Sequence, residues 1–95
     1  APQTRFVYAS EADVLNVALF GQTAHQWRAA NSHKTGNIRD YADVRQLVVL
    51  ANLESMNAEL IREGVGQRAR LLKLNSVAIA QMKSLLTNPS IARLK

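Results

Sequence analysis

Two long segments of helical apolar periodicity, separated by a Gly64-Val65-Gly66 break, constrain the fold of this chain more than any other feature. The first begins within residues 40–43 and runs to about residue 63, and the second spans residues 67–87. Apolar residues recur in both at the spacing of one helix face, and Asn88-Pro89 supplies a stop signal. The break between the two segments predicts an antiparallel helical hairpin.

Two shorter helices are predicted before the hairpin. Ser10-Glu11-Ala12-Asp13 matches a capping box, and Gly21 suits the left-handed position that ends a helix. Thr23-Ala24-His25-Gln26 offers a second capping box, for a helix that runs to about Ala30. Residues 31–37 are polar and predict a loop. The expected fold is all-α, with two short N-terminal helices packed on a long antiparallel helical hairpin.

The length of 95 residues and a hydrophobic content of 47% predict one small domain. We expect residues 1–9 to form an extended lead-in, residues 10–88 a single helical domain, and residues 89–95 a C-terminal tail. A core of this size often gains further burial from a second subunit, so a homo-oligomer or a protein partner is expected. Ala1 in the place of an initiator Met favours a fragment of a longer protein.

The absence of cysteine and of long apolar runs narrows the cellular compartments in which this chain is expected. Without cysteine the chain has no disulfides or thiolate metal sites, which fits a reducing compartment. The sequence shows no signal peptide, and its apolar runs are much shorter than the roughly 18 residues of a membrane span. We therefore predict a cytoplasmic protein with no membrane partner.

All seven acidic residues precede residue 65, so the second long helix carries only positive charge. That charge is either neutralised by a neighbouring helix, for which Glu59 and Glu63 are candidates, or directed at phosphates or an acidic protein. The spacing of the basic residues does not form one narrow stripe. The candidate phosphate contacts on this helix are Arg68, Arg70 and Lys73.

A second candidate for DNA binding is the pair of short helices joined at Gly21, which is similar to a helix-turn-helix unit. In that interpretation the recognition helix points Trp27 and Ala30 inward and presents polar residues to base edges or phosphates. Gln22 and Val17 depart from the usual pattern, and two capped helices that bury Trp27 are the simpler alternative. The candidate contacts are Thr23, His25, Gln26, Arg28 and Asn31.

Catalytic and metal-binding patterns are absent from the sequence. His25 and His33 have no acid at ligand spacing, and the serines and glycines form no known nucleophile or phosphate motif. Asp40 and Asp43 are explained by the charge preference of a helix N-terminus. We therefore predict a non-enzyme without a metal, a cofactor or a small-molecule substrate.

The apolar stripes of the hairpin are the expected association surface. Four asparagines, Asn16, Asn52, Asn57 and Asn75, fall inside predicted helices, where a buried amide would fix the register of neighbouring helices if it is not simply exposed. The candidate association residues are Leu47, Leu50, Leu53, Leu71, Val77 and Met82.

Four runs of this sequence belong together: residues 8–21, Trp27-Arg28, residues 36–41 and residues 53–58. They resemble the C-terminal part of phage and prophage proteins that carry a KilA-N domain. The resemblance covers nearly the whole chain, but the KilA-N domain itself lies upstream in such proteins, so no functional residue is carried over. It implies an accessory helical module of a DNA-binding prophage protein. We expect this module to mediate self-association or protein interaction, and direct DNA binding is the alternative.

Overall fold

The computed structural model describes Tyr8 and residues 10–87, and within them it contains four α-helices, one 3-10 helix and no strand. The prediction of an all-α fold is confirmed for this part of the chain. The predicted tail and all of the predicted lead-in except Tyr8 lie outside the described residues. The helices are α1 (Glu11–Phe20), α2 (Ala24–Ala30), the 3-10 helix (Ile38–Tyr41), α3 (Val44–Arg62) and α4 (Gln67–Thr87).

The ends of the two short helices are set by local side-chain bonds. Ser10 caps α1 by accepting a hydrogen bond from the backbone N–H of Asp13 at 3.2 Å, and Gly21 ends the helix with φ of 77°. The reciprocal bond predicted from Asp13 does not form. The predicted box of Thr23 and Gln26 is complete at the start of α2.

A 3-10 helix occupies part of the segment before α3, where the sequence predicts only a turn. Asn37 caps it by accepting from the N–H of Arg39 at 2.9 Å, and Asp40 Oδ2 accepts from the N–H of Asn37 at 2.8 Å. Gly36 has φ of 86°, and a Cβ there would lie 2.5 Å from Asp40 Oδ2. This turn places Tyr41 beside Trp27, with ring centroids 5.2 Å apart.

The two long helices have nearly the predicted bounds. Asp43 and Gln46 form a capping box at the start of α3, and Gly64 has φ of 80° just after its end. Side-chain bonds connect the long helices: Arg70 at the start of α4 bonds to Asn57, and Gln81 in the second half of α4 bonds to Asn52.

The core lies where α1, α3 and α4 meet. α1 packs more extensively on α4 than on α3, and α2 packs mainly on the 3-10 helix, so α2 stands beside the core. Trp27 and Ile38 are buried away from the core cluster. The cluster consists of Val14, Leu15, Ala18, Val49, Leu50, Leu53, Leu60, Leu74 and Ala78.

Tyr8 connects the lead-in to the start of α4. Its backbone N–H donates to Gln67 Oε1 at 2.7 Å, and its carbonyl accepts from Gln67 Nε2 at 3.3 Å. The Tyr8 side chain packs against the core cluster.

Candidate functional site

Three of the five polar residues that were candidates for reading DNA from α2 are engaged at the ends of that helix. Thr23 Oγ1 accepts from the N–H of Gln26 at 3.1 Å, and Gln26 Oε1 accepts from the N–H of Thr23 at 2.8 Å. Asn31 Nδ2 donates to the carbonyl four residues earlier at 2.8 Å. His25 and Arg28 are exposed and have no role in these caps. Gln26 is exposed as well, so three of the five candidate contacts face solvent, and one of these three is engaged in the cap.

The packing of α2 also differs from the helix-turn-helix interpretation. Trp27 is buried, as predicted, but Ala30 is exposed, and the prediction that it points inward is wrong. α2 makes more extensive contact with the 3-10 helix than with α1, because Trp27 packs towards Tyr41. The simpler interpretation, in which two capped helices bury Trp27, describes this geometry better.

Arg70 was a candidate phosphate contact, and it is instead a buried residue that joins three helices. Only 7% of its surface is exposed. Its Nε donates to Asn57 Oδ1 at 3.0 Å, its Nη1 to the Val65 carbonyl at 2.6 Å, and its Nη2 to Glu11 Oε2 at 2.7 Å. Asn57 Nδ2 completes the group by donating to Glu11 Oε1 at 2.9 Å. Arg70 is thus not available to a phosphate, and we name these side chains, Glu11, Asn57 and Arg70, the Arg70 cluster.

The Arg70 cluster changes the acidity of Glu11. The hydrogen bond from Asn57 lowers the pKa of the Glu11 carboxyl group below its ordinary value, and the bond and charge of Arg70 lower it further. Partial burial raises this pKa and offsets part of the effect, but the net direction is downward. The carboxylate is therefore held in its charged form, which suits a structural ion pair and not a general acid at neutral pH.

The acid that pairs with Arg70 of α4 is not one of the two predicted acids. Glu59 pairs with Arg62 of its own helix, whereas the ion pair of Arg70 is made with Glu11 of α1. Glu11 and Arg70 are 59 positions apart, so no local pattern indicates their contact. Arg68 and Lys73, the other candidate phosphate contacts on α4, are exposed.

The four helix-interior asparagines divide into different roles. Asn75 Nδ2 donates to the Ala18 carbonyl at 2.9 Å and so connects α4 to α1, while Asn57 is buried in the Arg70 cluster. Asn52 is exposed and donates to Gln81 Oε1 at 3.0 Å. Asn16 is buried, and its Oδ1 has no hydrogen-bond partner. Asn57 is thus the buried amide that bonds across helices, which is the register role that the sequence allows, whereas Asn52 and Asn75 bond across helices from exposed positions.

Most of the candidate association residues belong to the interior of this chain. Leu50 is 2% exposed and Leu53 is 0% exposed, because both face α1 and α4, so neither contributes an association surface. Leu71, Val77 and Met82 are partly buried against the same core. Leu47 alone of the six is exposed. The apolar periodicity therefore identified the side of α3 and α4 that faces the core of this chain, and not an association surface.

An exposed apolar surface, of which the association candidates include only Leu47, lies on the opposite side of α3. Its four large residues are between 43% and 47% exposed, and two exposed alanines continue the surface along the helix. The sequence did contain an indication of this surface, because α3 has more apolar residues than one buried stripe requires. We name this surface the outer face of α3, and it consists of Val44, Leu47, Val48, Ala51, Ala58 and Ile61.

A second exposed apolar row lies on α4. Leu72, Ile79 and Leu86 follow one another at intervals of seven residues and are between 58% and 64% exposed. We name this row the α4 stripe. Every charged residue on α4 is basic, so the surroundings of the stripe differ in charge from those of the outer face of α3.

Two hollows lie between the short helices and the start of α3. One of about 320 Å³ is lined by apolar and aromatic side chains, including Trp27 and Tyr41, together with two glutamines. Another of about 230 Å³ is lined by Asn16, Arg28 and Arg39 among others. Neither hollow brings a nucleophile within reach of a general base.

Within the described residues there is no cluster of three or more His, Cys, Asp or Glu side chains that could hold a metal ion. None of the described helices combines the length and the apolar character that crossing a bilayer requires. Comparison of the chain with protein-family models, with curated proteins and with solved structures finds no match. The resemblance to proteins with a KilA-N domain therefore stays a prediction.

Proposed function

We propose that this chain is a non-catalytic helical accessory module that associates through the outer face of α3, in the first place with another copy of itself and otherwise with another protein. In this module the two short helices accompany an antiparallel hairpin of α3 and α4. The observation that carries the proposal is the row of exposed apolar residues on a helix whose opposite side is already in the core.

The physical argument is the free energy of hydrating that surface. Full burial of a valine, leucine or isoleucine side chain contributes about 1.5–3 kcal/mol, and Val44, Leu47, Val48 and Ile61 are each nearly half exposed. Contiguous apolar surface of this kind on a small domain marks an interaction site more often than isolated exposed residues do. A core as small as this one also leaves the domain marginally stable, so association would add stability.

The non-catalytic part of the proposal is supported by how the polar side chains are used. Thr23, Gln26, Asn37 and Asp43 cap helices, and the buried arginine belongs to the Arg70 cluster. These are structural roles. The accessory role within a longer phage or prophage DNA-binding protein rests on the resemblance alone.

Sedimentation velocity over a hundredfold range of protein concentration tests the proposal. We expect the mass to rise from one chain to an oligomer, and the melting temperature to rise with concentration, because mass action couples association to folding. The proposal would be refuted by a chain that sediments as a monomer at every concentration and that also binds no other protein.

Direct DNA binding is the second candidate, and one observation favours it. α4 carries no acidic residue, and it exposes Arg68 and Lys73. Titration of a fluorescent duplex at several salt concentrations tests this function. A DNA-binding module should lose affinity steeply as salt rises, and Lys73→Glu should weaken binding, because each phosphate contact releases counterions. An absence of binding at about 50 mM salt would exclude this candidate.

A further inference from the structure

The outer face of α3 has the sequence spacing of a helix that pairs with another helix. Val44, Ala51 and Ala58 are seven residues apart, and Val48, Ser55 and Arg62 form a second series offset by four. We name these two series together the seam of α3. At about 100° per residue, the seam lies about 180° around the helix from the buried residues Val49, Leu53 and Leu60. The seam therefore lies on the side of α3 away from the core, and α4 borders it where Asn52 bonds to Gln81.

The seam combines branched apolar residues at one end with small residues at its centre. Val44 and Val48 stand at the start of α3, while Ala51, Ser55 and Ala58 follow. Small side chains allow two helix backbones to approach closely, and the larger valines then fill the ends of the contact. When two copies of α3 pair in opposite directions, Val44 of each copy meets the region around Arg62 of the other.

Charges along one flank of the seam distinguish the possible partners. Arg45 and Glu59 lie on the same flank, with Asn52 midway between them. In an antiparallel pair, residues on corresponding flanks face each other, so Arg45 of each copy would face Glu59 of the other. In a parallel pair, opposite flanks face each other, so Glu54 of each copy would face Glu59 of the other and the like charges would repel. The charge pattern is thus complementary to itself in only one of these two orientations.

We propose that the outer face of α3 pairs with the same face of a second copy of this chain, antiparallel, with the two-fold axis near Asn52. This proposal rests on the association function and names its partner and register. On the other flank of the seam the same register places Leu47 of each copy near Ile61 of the other. Glu54 meets its symmetry mate there, and each Glu54 charge is balanced by the Arg39 with which it already pairs at 3.7 Å.

The existing contacts of Arg45 and Glu59 are compatible with this register. Glu59 pairs with Arg62 on the surface of its own helix, and a surface pair of this kind contributes little, so it can be exchanged. Arg45 Nη2 contacts Asp43 Oδ2 at 3.2 Å, and the Nε of Arg45 is buried without a partner. The Asp43 side chain is 40% exposed, so water can solvate this carboxylate when Arg45 exchanges its partner.

The α4 stripe is a weaker choice for the same partner. Leu72, Ile79 and Leu86 are more exposed than Val44 and Val48 of the seam. However, α4 contains only basic charged residues, so pairing two α4 helices places like charges together in either orientation. Charge complementarity therefore favours the outer face of α3 for self-association.

Charge reversal on the full 95-residue chain tests the register. We expect Arg45→Glu and Glu59→Arg each to weaken the dimer by about tenfold or more, since each turns two attractive contacts into repulsive ones. A mixture of the two variants should form a heterodimer, because opposite charges then face each other at both ends. The double variant should form a homodimer again. Circular dichroism checks that each variant remains folded.

Matched substitutions elsewhere provide the control. Ala51 and Ala80 are both exposed helix residues, the first on the seam and the second on α4. Ala51→Glu should weaken the dimer, and Ala80→Glu should leave its dissociation constant within about twofold of the unsubstituted value. Glu59 is exposed, so Glu59→Arg keeps the test valid if Arg45→Glu does not fold.

The outcomes separate this proposal from the association function itself. A dimer that is unchanged by both charge reversals, that is not restored in the mixture, or that is weakened by Ala80→Glu instead, would overturn the α3 register while association stands. An unsubstituted chain that sediments as a monomer at every concentration would overturn both self-association and the register.

Discussion

Removal of the Arg70 side chain is the perturbation whose effect follows most directly from the structure. Arg70→Ala takes three donors from the cluster that connects α1, α3 and α4. The buried Asn57 Oδ1 then loses its partner, and so does the Val65 carbonyl. Glu11 is affected less, because 45% of its side chain is exposed and water can solvate the carboxylate.

The expected destabilisation follows from these contacts. A buried acceptor left unsatisfied costs about 1–3 kcal/mol, and loss of the packed arginine stem adds to that cost. Breaking a fully buried ion pair costs about 3–5 kcal/mol, but the exposure of Glu11 makes this an upper limit. We therefore expect Arg70→Ala to lower the free energy of unfolding by about 2–4 kcal/mol. That is a large fraction of the roughly 5–15 kcal/mol of a typical domain.

Urea denaturation followed by circular dichroism measures this change, at a fixed protein concentration so that association does not contribute. Each kcal/mol shifts the melting temperature of a domain this size by about 4–8 °C, so thermal melts should show a clear decrease. Lys73→Ala is the matched control. Lys73 is exposed on the same helix, and its removal should change the stability by no more than about 0.5 kcal/mol.

A double-mutant cycle with Asn57→Ala tests whether Arg70 acts through its partner. The two substitutions remove one shared hydrogen bond, so their combined effect should be smaller than the sum of the single effects. An Arg70→Ala chain that loses less than about 1 kcal/mol, or single effects that add completely, would refute the reasoning.

Three further predictions concern acid stability, the interhelical turn and the amide contact between α4 and α1. The folded-state pKa of Glu11 is lowered, so its contribution to the free energy of unfolding is present above the unfolded pKa and is lost as the pH falls through the folded pKa. Glu11→Gln should therefore flatten the acid side of a profile of stability against pH, measured from about pH 7 to about pH 2. Gly64→Ala should cost about 1 kcal/mol in thermal melts, since φ there is +80°. Gly66→Ala should be neutral or stabilise by up to about 1 kcal/mol, because φ is not positive there and an added Cβ meets nothing within 4 Å. Asn75→Ala should cost about 1 kcal/mol in urea denaturation, as the Ala18 carbonyl loses a donor; an unchanged midpoint would contradict this.

The helix ends were predictable because they depend on residues three or four positions apart. The capping box of Thr23 and Gln26 and the positive φ of Gly21 follow from such local chemistry. The 3-10 helix was missed, although Asn37 and Asp40 form a capping box there too. Its four residues are too few to show an apolar period, and the pattern Gly36-Asn37 is equally typical of a plain turn.

The candidate site was less predictable, because it depends on which side of each helix meets the others. α3 is apolar on two sides, and periodicity alone did not determine that Leu50 and Leu53 face the core while Val44 and Val48 face solvent. The position of α1 decides this question, and it is fixed by contacts between distant residues. For the same reason the sequence could not reveal that Arg70 is bonded to Glu11 and hence withdrawn from solvent.

The separation of residues 21–43 from the core cluster affects how the chain unfolds locally. This segment contributes no residue to the core cluster, and its own buried side chains are Trp27 and Ile38. Its unfolding would leave the packing of α1, α3 and α4 largely intact, so it forms a separate cooperative unit of lower stability. Amide hydrogens of α2 should then exchange with solvent well before those of α3 and α4. The chain would behave as a durable three-helix body that carries a segment able to melt and re-form independently.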